Sequence, residues 1–236
     1  MAKLKHITFT GVDGKTDIDA LIKLQNQYSV AEFGVLVSQN WWKNGNRYFN
    51  PSFLGGLVHL NLSAHFCGKI ARYAIYGDFS PFFKWAKEYN TMFNRCQINI
   101  STATENPESF AVTSFNSLFF EEFILQQKSA DNCSLFINST MYDKVSVLLD
   151  ASGGRGIDTP IKVLPNADKH FKVGYAGGFT PENVAEKLTY LYEKKEVGDF
   201  WIDMESGVRT DDWFDIDKVR SVLEICMPII KRYEEE

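Results

Sequence analysis

Two aspartates close short apolar runs late in the chain: Asp150 ends Val145-Ser146-Val147-Leu148-Leu149-Asp150, and Asp203 ends Phe200-Trp201-Ile202-Asp203. Two carboxylates on one rim can share general acid and base work when their surroundings protonate one and ionise the other. Between them, Val173-Gly174-Tyr175-Ala176 runs into Gly177-Gly178, and Ser206-Gly207 lies just past Asp203. Gly-Gly and Ser-Gly at successive strand ends offer clustered backbone N–H groups and a hydroxyl, with no side chain to block an anion, so a phosphate fits there. A bare Gly-Gly after a strand is as often only a turn. His65, with Cys67 two residues on, adds an imidazole that titrates near neutral pH. A hydrogen-bonded structural histidine and a buried small thiol are the plainer readings of those two residues.

These groups converge only if the elements that carry them lie side by side. Runs rich in β-branched and aromatic residues predict strands at His6–Thr10, Ala31–Val37, Val58–Ser63, Arg95–Ile100, Phe123–Gln127, Val145–Asp150, Val173–Ala176 and Phe200–Asp203. Helical spacing falls between them, at Thr16–Tyr28, through Ala71 or Pro81–Tyr89, and at Ile216–Tyr233. A further helix is predicted to open at Thr180-Pro181-Glu182, with Thr180 as N-cap, Pro181 at the first helical position and Glu182 favouring the positive end of the dipole. Alternating strands and helices without a Pro-, Gly- or Ser-rich linker predict one α/β domain over residues 1–236, a closed (β/α)8 TIM barrel. An open doubly wound sheet is the competitor, but no Gly-x-Gly-x-x-Gly follows the first strand. Ligands bind barrels at the C-terminal strand ends. Here those ends read Thr10, Ser38, His65, Asn99, Gln127, Asp150, Gly177-Gly178 and Asp203 with Ser206-Gly207.

Composition narrows the partners. A 236-residue chain that is 44% apolar can build one sizeable core, and a net charge of −5 argues against nucleic acid, whose phosphates need a basic surface. No run is long and apolar enough to span a bilayer, and Met1-Ala2-Lys3-Leu4-Lys5-His6 lacks the apolar stretch of a signal peptide, which predicts a cytoplasmic protein without membrane contact. The four cysteines are scattered without a Cys-x-x-Cys pair, so reduced thiols and no metal are expected, and no cofactor is called for. Barrel packing, a pocket lining or a homo-oligomer interface would each use the 14% aromatic content. The long polar loop Ser38–Asn50, with Trp41, Trp42 and Arg47, is of a kind that usually carries function.

Three motifs in the last third sharpen this reading. Leu148-Leu149-Asp150 with Gly153-Gly154-Arg155-Gly156, then Gly177-Gly178-Phe179-Thr180-Pro181-Glu182-Asn183-Val184, then Ile202-Asp203-Met204-Glu205-Ser206-Gly207-Val208-Arg209 stand in that order. They resemble the strand-six, strand-seven and strand-eight motifs of phosphoribosylanthranilate isomerase, a (β/α)8 barrel of tryptophan biosynthesis. The resemblance implies a small phosphorylated, ribose-derived ligand with its phosphate at Gly177, Gly178, Ser206 and Gly207. It also implies a metal-free isomerisation in which Asp150 is the general acid that opens the sugar, Asp203 orients a hydroxyl or assists, and Arg47 stands where the family holds the anthranilate carboxylate. The family's catalytic cysteine at the end of strand one is replaced by Thr10, whose hydroxyl cannot serve as the base. His65 is then the candidate base. Arg155 and Arg209 replace uncharged or acidic residues of the pattern, which points to a more anionic ligand or to solvated surface charge. The alternative is a phosphosugar-binding or regulatory barrel that has lost the isomerase chemistry. An aldolase-like barrel is disfavoured, since no lysine closes a predicted strand.

Overall fold

The computed structural model describes residues 2–38, 47–48, 56–57, 59–75, 78–80, 93–99, 120–127, 144–150, 152, 156–158, 160, 172–194 and 198–235. Strands β1 (Leu4–Thr10), β2 (Ala31–Val37), β3 (Leu62–Phe66), β4 (Arg95–Ile98), β5 (Glu122–Gln127), β6 (Val145–Asp150), β7 (Lys172–Ala176) and β8 (Phe200–Met204) pair in sequence order, all parallel, and β1 pairs with β8 to close the barrel. Helices α1 (Ile18–Gln27), α2 (Gly68–Ile75), α3 (Val184–Glu193) and α4 (Ile216–Glu234) lie among the described residues. This is the expected single α/β barrel.

Period-two alternation explains both faces of the wall. Ile7, Phe9, Phe33, Val35, Leu62, Ala64 and Phe66 join one continuous core between strands and helices. The intervening residues face the barrel axis and are largely polar. Beneath the mouth, Arg95 donates from Nη1 to Glu32 (2.8 Å) and from Nη2 to Glu122 (3.1 Å). Thr8 donates to Glu32 (2.7 Å) and Ser146 to Glu122 (2.5 Å). The Arg95 guanidinium lies 4.4 Å from the ring centroid of Trp201. Gly174 is paired in register with Trp201, and a side chain there would occupy the space of the indole.

The helix ends follow from local chemistry. Asp17 caps α1 by accepting the Ala20 N–H, and Asp215 caps α4 by accepting those of Asp217 and Lys218. Glu234 accepts from the Leu4 N–H and the Tyr192 hydroxyl (2.7 Å each), tying the end of α4 to the start of β1.

Several element ends shift by one or two residues, and three placements near the site differ from expectation. The third strand is Leu62–Phe66 rather than Val58–Ser63, because Leu62 pairs with Phe33 and His65 with Leu36, so His65 sits inside the strand. The helix expected from Thr180 begins at Val184, preceded by a turn in which the Thr180 hydroxyl accepts the Glu182 N–H (3.3 Å). At the end of β5 the inward residue is Gln126 and not Gln127, since Glu122, Ile124 and Gln126 share the axial face. Trp41, Trp42, the helix expected over Pro81–Tyr89, Cys133 and Gly153-Gly154-Arg155 lie outside the described residues.

Replacing Gly174 by Ala should force Trp201 off Arg95 and destabilise the barrel by about 1–3 kcal/mol, the usual cost of overpacking. Thermal unfolding checks this, at roughly 2–4 °C per kcal/mol for a chain of this size.

Candidate active site

The C-terminal ends of the strands surround one cavity of about 300 Å³. Thr10, Arg47, His65, Asp150 and Asp203 all line it, together with Gly177, Gly178, Ser206 and Gly207. The structure therefore brings these nine residues to one place, whereas Ser38, Gln127 and Arg209 do not line the cavity. Gly34 makes room for the centre of this group: a Cβ there would sit 2.5 Å from Thr10 Oγ1 and 3.0 Å from His65 Nε2. A glycine inside an apolar strand is the signal that could have marked this close approach.

The two aspartates occupy opposite environments. Asp203 is buried and receives one hydrogen bond, from Thr10 Oγ1 to Oδ1 (2.8 Å). Burial pushes its carboxyl up to about 8; the Thr10 bond opposes this, while Glu205, Glu32 and Asp150 reinforce it. At neutral pH Asp203 is thus mainly protonated. Asp150 is an acceptor on both oxygens, with Gln126 Nε2 donating to Oδ2 (2.8 Å) and the Ser152 N–H (3.0 Å) and hydroxyl (2.7 Å) donating to Oδ1.

His65 Nδ1 lies 3.5 Å from Thr10 Oγ1, and Nε2 has no hydrogen-bond partner among the described residues. Burial, with the Arg95 charge below it, lowers the imidazole to about 3, so the ring is neutral throughout the physiological range. Burial and the nearby Glu205 push the Cys67 thiol up to about 12, and its sulfur accepts from Asn99 Nδ2 (3.2 Å). Neither is charged at neutral pH.

The glycine side of the cavity is built by backbone packed against backbone. Gly178 has φ +66°, and a Cβ on it would lie 2.5 Å from the Asp158 Cα. Gly156 has φ +62°, and its Cβ would meet Ser206 Oγ at 2.5 Å, while a side chain on Gly207 would overlap the Phe179 carbonyl. Three loops interlock at distances only glycine permits. From α3, Asn183 Nδ2 donates to the Gly178 carbonyl (2.8 Å), and the buried Lys187 ammonium donates to the Gly177 carbonyl (2.7 Å) and to Asp158 (2.6 Å).

A second acidic set lies on the opposite side. Arg47 Nη1 donates to Glu205 (2.7 Å) and Nε to Asp212 (2.8 Å). Glu205 also lines the cavity and is raised from the ordinary carboxylate range, chiefly by burial, with Arg47 pulling the other way. It shares the axial face of Asp203 two residues earlier, the alternation that could have identified it. Arg209 corrects the expectation of a ligand contact or solvated charge. It is buried, paired with Asp13 (2.9 Å), and donates to the carbonyls of Gly11 (2.6 Å) and Asp212 (2.7 Å). It thereby ties the β1 loop to the hairpin β9 (Arg209–Thr210) and β10 (Trp213–Phe214), whose turn residues Asp211 and Asp212 have φ +51° and +60°.

Eight parallel strands closed around this polar mouth define a (β/α)8 barrel with its candidate site at the C-terminal face. Residues 119–225 match the family model described as N-(5'phosphoribosyl)anthranilate (PRA) isomerase. The phosphoribosyl anthranilate isomerase of Thermus thermophilus is similar in structure, at TM-score 0.58 and 15% identity, covering 95% of this chain and 99% of that one. That of Pyrococcus furiosus gives 0.55 and 14%, over 94% and 98%. An aldolase, the DAHP synthase of Thermotoga maritima, gives 0.54 and 10%, over 96% and 70%, so these likenesses speak for the fold alone. No curated protein sequence matches the chain. The chain is a (β/α)8 barrel whose residues 119–225 are similar to the phosphoribosylanthranilate isomerase family. Among the described residues, no helix is long and apolar enough to cross a membrane, and no cluster of His, Cys, Asp and Glu could hold a metal ion.

Replacing Arg209 by Ala should cost about 3–5 kcal/mol in denaturant unfolding, because it strands the buried Asp13 carboxylate. Asp203→Asn should act in the opposite direction. A carboxyl raised from 3.8 to about 8 in the folded state binds more protons there than when unfolded, so the native protein loses stability as pH rises between those values. The Asn variant should therefore gain thermal stability over the native protein, more at pH 8 than at pH 5.

Proposed function

We propose that this barrel isomerises a phosphorylated ribose-derived sugar carrying an amine at C1, by acid–base catalysis between Asp203 and Asp150. The observation that carries the reading is the asymmetry of the two carboxyls within one cavity: Asp203 is a proton donor at neutral pH, and Asp150 is dressed by donors as an acceptor. That asymmetry favours Asp203, rather than Asp150, as the acid of the first step, with His65 and Thr10 as neutral positioning groups. The glycine loops at 156, 177–178 and 206–207 suit the phosphate of such a ligand. The motif resemblance and the family match over residues 119–225 support the same substrate class.

In this scheme Asp203 protonates the ring oxygen as the C1–O bond breaks and the amine lone pair forms C1=N. Asp150 removes the proton from C2, and the C2–H electrons form C1=C2 as the nitrogen recovers its lone pair. Asp150 then returns its proton to C1 while Asp203 takes the proton of the C2 hydroxyl, which leaves the 1-amino-2-ketose and both carboxyls in their starting states. The replacement of the family's cysteine by Thr10 favours a second reading, a barrel that binds the phosphosugar without turning it over.

NMR of an N-(5-phosphoribosyl)arylamine incubated with the protein separates them. Turnover should yield the 1-arylamino-1-deoxyribulose 5-phosphate. Asp203→Asn and Asp150→Asn should each lower kcat by about 10²–10⁴. Because Asp203 must be protonated, the rate should fall as pH rises through about 8. Binding without any ketose formation would favour the second reading, and no binding would refute both.

A further inference from the structure

We infer that the Arg47–Glu205 pair sets the charge of the substrate's amine substituent, so that the cavity takes an uncharged or cationic substituent and rejects one bearing a carboxylate. The inference rests on the phosphosugar reading above and names the other half of that ligand.

Among the described residues that line the cavity, Arg47 is the only one with a permanent positive charge. It is already committed twice, from Nη1 to Glu205 (2.7 Å) and from Nε to Asp212 (2.8 Å). A guanidinium grips a carboxylate through two parallel N–H bonds along one edge, either Nε with Nη2 or Nη1 with Nη2. The first edge has lost its Nε donor, and Nη1 already spends one of its two N–H groups on Glu205. Asp212 is itself held in place, since its carbonyl accepts from the buried Arg209 and its carboxylate lies 3.6 Å from Arg209 Nε. The Arg47 head group is therefore anchored by the hairpin and does not hang free in the loop.

An incoming carboxylate would have to displace Glu205, leaving that half-buried side chain without its partner, or sit beside it in a cavity that Asp150 also lines. Either outcome places like charges together at the cavity rim, which is how a site discriminates against a ligand. A neutral ring or an alkylamine meets neither obstacle. On this inference Arg47 does not hold a ligand carboxylate, and the ligand is less anionic than the family's.

Calorimetry with three stable probes tests this: ribitol 5-phosphate, 1-phenylamino-1-deoxyribitol 5-phosphate and its 2-carboxyphenyl counterpart. The phenyl compound should bind the native protein at least about tenfold more tightly than the carboxyphenyl compound, a difference of about 1.4 kcal/mol. Glu205→Gln should narrow that ratio by freeing Arg47, and Asp212→Asn, in an exposed turn, should narrow it independently. If the carboxyphenyl compound binds as tightly as the phenyl compound, or more tightly, while ribitol 5-phosphate also binds, the charge inference falls and the phosphosugar reading stands. If none of the three binds, both fall.

Discussion

Arg95, held between Glu32 and Glu122 and stacked on Trp201, is the interaction on which the barrel interior depends. Its partners and their supports come from every strand but β3: Thr8, Glu32, Arg95, Glu122, Ser146, Gly174 and Trp201. A closed barrel must fill its axis with side chains, and an ionic filling is tolerable only where each charge has a partner. Here the two carboxylates flank one guanidinium, and an indole face supplies the remaining cover. Gly174 exists to leave room for that indole. The arrangement also reaches upward, because the Arg95 charge adds to burial in keeping His65 neutral and the Glu32 charge adds to burial in keeping Asp203 protonated.

The mouth above this floor is divided by function-ready chemistry. Toward β7 and β8 the wall is made of glycine, and the backbone is close packed, with no side chain to fill the space. Across the axis, the carboxyls are separated by what surrounds them: one hydrogen bond at Asp203, and three donors at Asp150. The same residue type thus sits in two different hydrogen-bonding surroundings in one cavity, and burial raises the carboxyl of Asp203. Outside that pair, two arginines act as struts. Arg47 neutralises Glu205 at the rim, and Arg209 pins the β1 loop to the hairpin that follows β8.

Much of this was legible before folding. The short apolar runs Val145–Asp150 and Phe200–Asp203 marked the strands that carry Asp150 and Asp203, and the Gly-Gly and Ser-Gly pairs marked where backbone must come close. The misplaced third strand arose because Val58–Ser63 and Leu62–Phe66 are both apolar runs, and only pairing with β2 selects between them. Gln126 and Gln127 are not distinguishable in sequence, because two adjacent glutamines give no parity until the neighbouring strand fixes which faces inward. Arg209 could not be assigned either, since its partner Asp13 lies 196 residues away in sequence.

The sequence by itself determined the barrel, its motif order and the residue types gathered at the strand ends, because hydrophobic period, glycine and capping act locally. Only the tertiary structure decided their electrical character. Whether Asp203 holds a proton, whether His65 is neutral and whether Arg47 is free to meet a ligand depend on burial and on charges brought from distant strands, and a pKa is a property of that surrounding rather than of the residue.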